Sequence, residues 1–163
     1  MKLVGIILAA ILLTIVITAD AADTSARLNV TVTVVKGACI INNNQIIDVD
    51  FGNNVLTTDV AAGLARKQIE YTLDCADSEP GKTLLLSVSG TGADFDSDYL
   101  KTSIPGLGVK IEANGLLLPL NNRLALVSSA AKPDLSAILV QDEGIRLPAG
   151  EFNAIATMTA DYQ

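Results

Sequence analysis

Apolar and polar positions alternate over most of this chain, beginning with Arg27–Val35, RLNVTVTVV. Leu28, Val30, Val32 and Val34 fall on one side of an extended strand, and Asn29, Thr31 and Thr33 on the other. In ACIINNNQIIDVDFG, the three asparagines Asn42 to Asn44 predict a turn between two strand pieces, the second carrying Ile47, Val49 and Phe51 on one face. QIEYTLDC, Gln68 to Cys75, predicts one strand with Ile69, Tyr71, Leu73 and Cys75 together. SEPG, Ser78 to Gly81, reads as a turn, and KTLLLSVSG as a strand with Leu84, Leu86 and Val88 on one face.

A polar loop, TGADFDSDY, precedes LGVKIEANGLLLPL, which predicts a hairpin with Asn114-Gly115 as its tight turn. NNRLALVSSA and SAILVQ predict short strands separated by a loop containing Pro133. Phe152, Ala154, Ala156, Met158, Ala160 and Tyr162 then alternate along a final strand of about a dozen residues. Thr57–Lys67 comes nearest to a helical pattern, but Gly63 interrupts it, so a loop or a short helical turn is expected. Eight or so short strands with turns between them predict an all-β sandwich of immunoglobulin type, with a closed barrel as the structural alternative.

Composition adds the compartment. Leu3 to Ile17 is an uninterrupted apolar or near-apolar run of 15 residues behind Met1-Lys2, followed by Ala19-Asp20-Ala21. This reads as a signal peptide, residues 1–21, cut after Ala21, because it falls short of the ~20 residues that span a bilayer. The chain has 163 residues, a net charge of −7 and 11 Lys plus Arg, which argues against nucleic acid as a partner. An exported chain with two cysteines, Cys39 and Cys75, most simply forms one disulfide.

Candidate chemistry is sparse. Without histidine the chain has no Ser-His-Asp or Cys-His arrangement, and no catalytic constellation is found. DFDSD, with Asp94, Asp96 and Asp98, begins like a calcium loop, but Tyr99 and Pro105 stand where glycine and glutamate are required. Asn29-Val30-Thr31 fits a glycosylation sequon inside a strand pattern and reads as chance. Asp48 and Asp50 read as the polar face of a strand. No metal site and no cofactor is expected.

The two ends carry a resemblance. Gly150 is the fourteenth residue from the C-terminus and Tyr162 the penultimate one, with alternation between them. A signal peptide leads, an alternating extension precedes the first cysteine, and the second cysteine ends YTLDC. The combination resembles subunits of chaperone–usher pili, the type 1 and P pilus family of Gram-negative bacteria, over the whole mature chain. The lead ADTSARLNVTVTVVKGAC is most similar to that of minor, adaptor-type pilins of adhesive fimbriae.

The resemblance implies an incomplete immunoglobulin-like β-sandwich, residues 35–163, lacking its seventh strand, preceded by an N-terminal donor-strand extension, residues 22–34. A periplasmic chaperone fills the gap first. The extension of a neighbouring subunit then replaces it at the outer-membrane usher, by strand addition. Carried onto this chain, the inserting residues are Ala26, Leu28, Val30, Val32 and Val34. Gly150, Phe152, Ala154, Ala156, Met158, Ala160 and Tyr162 form the acceptor groove and C-terminal strand. Cys39–Cys75 ties the first strand to the second. Residues 22 to 36 hold no glycine, whereas family donor strands often carry one at an inserting position. The implied partners are chaperone, usher, neighbouring pilins and a tip adhesin, and the implied location is the cell-surface fimbrium. The alternative from a different class is a self-complete secreted binding module.

Overall fold

The computed structural model describes residues 39–75 and 82–163. The signal peptide, the extension with Ala26, Leu28, Val30, Val32 and Val34, and the SEPG turn lie outside the described residues. The strands are β1 (Cys39–Ile41), β2 (Arg66–Ile69), β3 (Leu73–Cys75), β4 (Leu84–Gly90), β5 (Leu100–Lys101), β6 (Leu107–Ala113), β7 (Leu116–Leu117), β8 (Arg123–Leu126), β9 (Leu135–Gln141) and β10 (Ala156–Tyr162). One short helix, α1 (Thr57–Ala61), stands where the sequence allowed a helical turn.

Among the described residues these form three antiparallel sheets: β1-β3, β10-β4-β8 and β2-β9-β6-β5, with β7 also on β6. None closes into a barrel. One continuous core draws Leu84, Leu86 and Val88 from β4, Val109 and Ile111 from β6, and Leu135, Ala137 and Leu139 from β9. These are the period-two positions, so the inward face of each strand follows from its alternation. The fold is the immunoglobulin-like sandwich expected of the pattern, and its sheets are open, as the resemblance implies.

Turn chemistry acts as the sequence indicates. Asn42, Asn43 and Asn44 take φ of 48°, 51° and 59°, the left-handed region that asparagine tolerates best after glycine. Asn114 and Gly115, at 50° and 80°, turn β6 back into β7.

Three strand expectations need correction. QIEYTLDC is two strands: β2 pairs with β9 while β3 pairs with β1, so the chain passes from one sheet to another between Ile69 and Leu73. The inward alternation survives the crossing, with Ile69 and Tyr71 buried and Leu73 and Cys75 half-buried. Gln45–Leu56 belongs to no strand, although burial alternates from Ile46 to Gly52. Ile47, Val49 and Phe51 still pack on the core, because burial needs only an extended chain, whereas a strand needs a ladder partner. The final strand begins at Ala156 rather than Phe152 for the same reason: β4 ends at Gly90, opposite Ala156.

Candidate functional site: an open strand edge

β10 is the edge of its sheet, and the geometry of that edge follows from one pair of hydrogen bonds. Thr83 N donates to Gln163 O at 2.7 Å, and Gln163 N donates to Thr83 O at 2.9 Å. In an antiparallel ladder such mutual pairs alternate with unbonded ones. Thr157, Thr159 and Asp161 therefore turn their backbone groups toward β4, and Ala156, Met158, Ala160 and Tyr162 turn theirs away. Among the described residues no strand is hydrogen-bonded to β10 on that outer side.

The same four residues face the core side of the sheet, opposite Gly90, Val88, Leu86 and Leu84. Ala160 is buried, Met158 and Tyr162 are half-buried, and Ala156 is exposed. The edge thus offers unpaired N–H and C=O groups beside partly covered apolar side chains.

Ahead of β10, Gly150 has a φ of 155°, which residues with side chains rarely adopt. Phe152 and Ala154 are half-buried. Phe152 meets Phe51 with ring centroids 5.9 Å apart, tilted by 53°. At the other end of β10, Tyr162 lines a cavity with Cys75, Leu84, Leu126 and Ser128. Cys75 is bonded to Cys39, and the two are register partners of β3 and β1. The predicted disulfide is therefore present, holding the sheet-crossing chain against β1.

On the other face of β10, Thr159 shares a 2.7 Å hydroxyl–hydroxyl hydrogen bond with Ser87, which is buried at 9% exposure. Sequence reasoning missed this pair. Alternation puts both residues on a polar face but does not say which strand lies beside which. Among the described residues no cluster of His, Cys, Asp and Glu could hold a metal ion. No helix there is long and apolar enough to cross a membrane.

The sequence profile of the fimbrial protein family matches residues 27–163. The fimbrial-like protein YfcQ of Escherichia coli K12 is 30% identical over 129 residues, 77% of this chain and 79% of that protein. YfcR of the same strain is 33% identical over 128 residues, 77% and 73% of the two chains. PmfE of Proteus mirabilis HI4320, described as a minor fimbrial subunit, is 29% identical over 143 residues, 78% of this chain and 40% of that protein. Among solved structures, the P pilus adaptor subunit PapF matches with a TM-score of 0.55 at 21% identity, over 77% of this chain and 95% of that one. The P pilus rod subunit PapA matches with a TM-score of 0.61 at 19% identity, over 84% and 99%. Profile and relatives agree, and the fold is that of the two P pilus subunits: this chain belongs to the fimbrial protein family.

Proposed function

We propose that this chain is a minor or adaptor subunit that joins its neighbours by donor-strand exchange and contributes to adhesion through a tip adhesin. The chain is a structural fimbrial subunit and not an enzyme, and its family builds surface pili, which implies export. The observation that carries this proposal is the open edge of β10, where unpaired backbone groups and apolar side chains belong to the same alternate residues. PmfE, described as a minor subunit, and PapF, an adaptor, support the position in the pilus.

In this reading the leading segment Ala22–Val34 lends Ala26, Leu28, Val30, Val32 and Val34 to a neighbour. The chain's own edge, from Phe152 to Tyr162, receives a strand from the periplasmic chaperone and then from the next subunit at the usher. Burying four aliphatic side chains contributes roughly 1.5–3 kcal/mol each. Each backbone hydrogen bond adds about 1 kcal/mol net. Left open, such an edge would pair indiscriminately, so the chaperone's strand protects it.

The test is co-expression with a periplasmic chaperone, with and without deletion of Ala22–Val34. The truncated subunit is expected to remain chaperone-bound yet fail to enter a neighbour. If truncation unfolds the subunit even with chaperone present, the segment belongs to its own sheet and the reading falls.

A further inference from the structure

β2 ends the sheet β2-β9-β6-β5, and among the described residues it is hydrogen-bonded to β9 alone. We infer that Lys67 guards this edge: its ammonium group, on the core side of the strand, keeps β2 from pairing with β2 of a second copy of this chain. β2 lies in a different sheet from β10, so nothing in this rests on the donor-strand reading.

Register places the lysine on the apolar face. Lys67 stands opposite Ala137, and Ile69 opposite Leu135. Ala137 and Leu135 belong to the core, at 3% and 0% exposure. Ala65, whose carbonyl accepts a 2.9 Å bond from Leu139 N, also packs against the core. Ala65, Lys67 and Ile69 thus share the inner face, yet Lys67 is exposed between a half-buried and a buried neighbour. Among the described residues no carboxylate pairs with it, so an ion pair does not account for the charge at this position. An inward charge on an edge strand is a known device against edge-to-edge pairing.

The bond to Ala65 also sets which backbone groups are free. Bonded and unbonded residues alternate in an antiparallel ladder. Ala65, Lys67 and Ile69 therefore turn their N–H and C=O groups toward β9, and Arg66 and Gln68 turn theirs away. An added strand would bond to Arg66 and Gln68.

Apart from Lys67, β2 is close to self-complementary. Two copies related by a two-fold axis and paired antiparallel about Lys67 set Arg66 against Gln68 and Ala65 against Ile69, both compatible. The exception is Lys67 against Lys67, with Cα atoms ~4.5 Å apart and like charges side by side. Paired about Gln68 instead, the strands set Arg66 against Glu70, which attract, but Lys67 against Ile69, where the ammonium would lose water against an apolar side chain. One residue obstructs both registers. In the other sheet β8 carries Arg123, whereas β10 carries neither lysine nor arginine.

The test is the mass, by light scattering on a size-exclusion column, of the full chain expressed for export and purified from the periplasm in whatever complex it forms there. Lys67→Val is expected to double the mass of the particle that the native chain gives. Lys67→Arg and Lys67→Glu, which keep an inward charge, are expected to leave it unchanged. Gln68→Pro added to Lys67→Val is expected to undo the doubling, because the N–H it removes points away from β9 and serves only an added strand. Lys67→Ala removes the charge with the least change of shape and decides the matter if the valine variant does not fold.

Native mass in the folded charge-free variants overturns the guarding role, as does doubling in Lys67→Arg. Doubling that survives Gln68→Pro places the contact on another surface and overturns it as well. All these comparisons are between variants that keep residues 22–34, whose deletion tests the donor-strand reading separately.

Discussion

Arg66 on β2 donates from Nη2 to Glu112 Oε2 on β6 at 2.7 Å, reaching across β9, the strand between them. Lys110 Nζ reaches the other carboxylate oxygen of Glu112, also at 2.7 Å. Ile138 of β9 is the register partner of both Arg66 and Lys110, and it is only 2% exposed although it points away from the main core. Arg66 and Lys110 thus flank Ile138 on either side in the sheet and share the Glu112 carboxylate.

Glu112→Gln is therefore expected to destabilise the subunit by about 1–2 kcal/mol, since Arg66 is half-exposed and the pair is partly screened. The hydrogen bond from Lys110 lowers the Glu112 pKa below its ordinary 4.5, with help from Arg66 and against the opposing effect of burial. A carboxyl with a lowered folded pKa contributes stability that is present above the unfolded value and lost as pH falls through the folded one. Urea midpoints should decline below about pH 4.5 in the native chain. The Glu112→Gln variant should lack that part of the decline.

Tyr71 donates its hydroxyl to Pro133 O at 2.8 Å, and Lys132 Nζ lies 4.3 Å from the centre of its ring. Tyr71→Phe should cost about 1–3 kcal/mol, because the proline carbonyl loses its buried donor. Burial first, and the charge of Asp134 second, push the Tyr71 pKa from 10.0 up to about 12. A raised folded pKa gives stability that is complete below the unfolded value and lost as pH rises through the folded one. Denaturation midpoints should fall between pH 10 and about 12, and tyrosinate absorbance should show one late-titrating tyrosine that Tyr71→Phe removes.

Phe51 and Phe152 lie in segments with no ladder hydrogen bonds between them, so their ring contact holds those segments together. Phe51→Leu or Phe152→Leu should each lower stability by about 1 kcal/mol at these half-buried sites. A double-mutant cycle should return a coupling of ~0.5–1.5 kcal/mol. A coupling of zero would show that the two segments are held independently.

Replacing Cys39 and Cys75 together by alanine should cost about 2–4 kcal/mol. β1 and β3 pair over three residues each, a short ladder for holding the sheet-crossing chain in place. A reductant titration of the native chain, followed by urea unfolding, should reproduce the loss without any substitution.

Period-two alternation by itself determined which side chains face the core. Leu84, Leu86 and Val88 are buried as their pattern requires, and Ile47, Val49 and Phe51 pack inward even where no strand forms. Alternation is a property of the extended backbone and needs no knowledge of a neighbour. Asn42–Asn44 and Asn114-Gly115 were equally legible, because left-handed backbone has few residue choices. Partners were another matter. That β2 and β3 divide one alternating run between two sheets, that Ser87 meets Thr159, and that Arg66 reaches Glu112 over Ile138 are relations between residues 40 or more positions apart, or between ladders. Local propensity cannot rank such pairings, because a polar outward face fits many neighbours equally well. Only the closing of the core around Leu86, Leu135 and Leu139 brings particular strands side by side, and only then does β10 emerge as an edge strand, hydrogen-bonded on one side alone among the described residues.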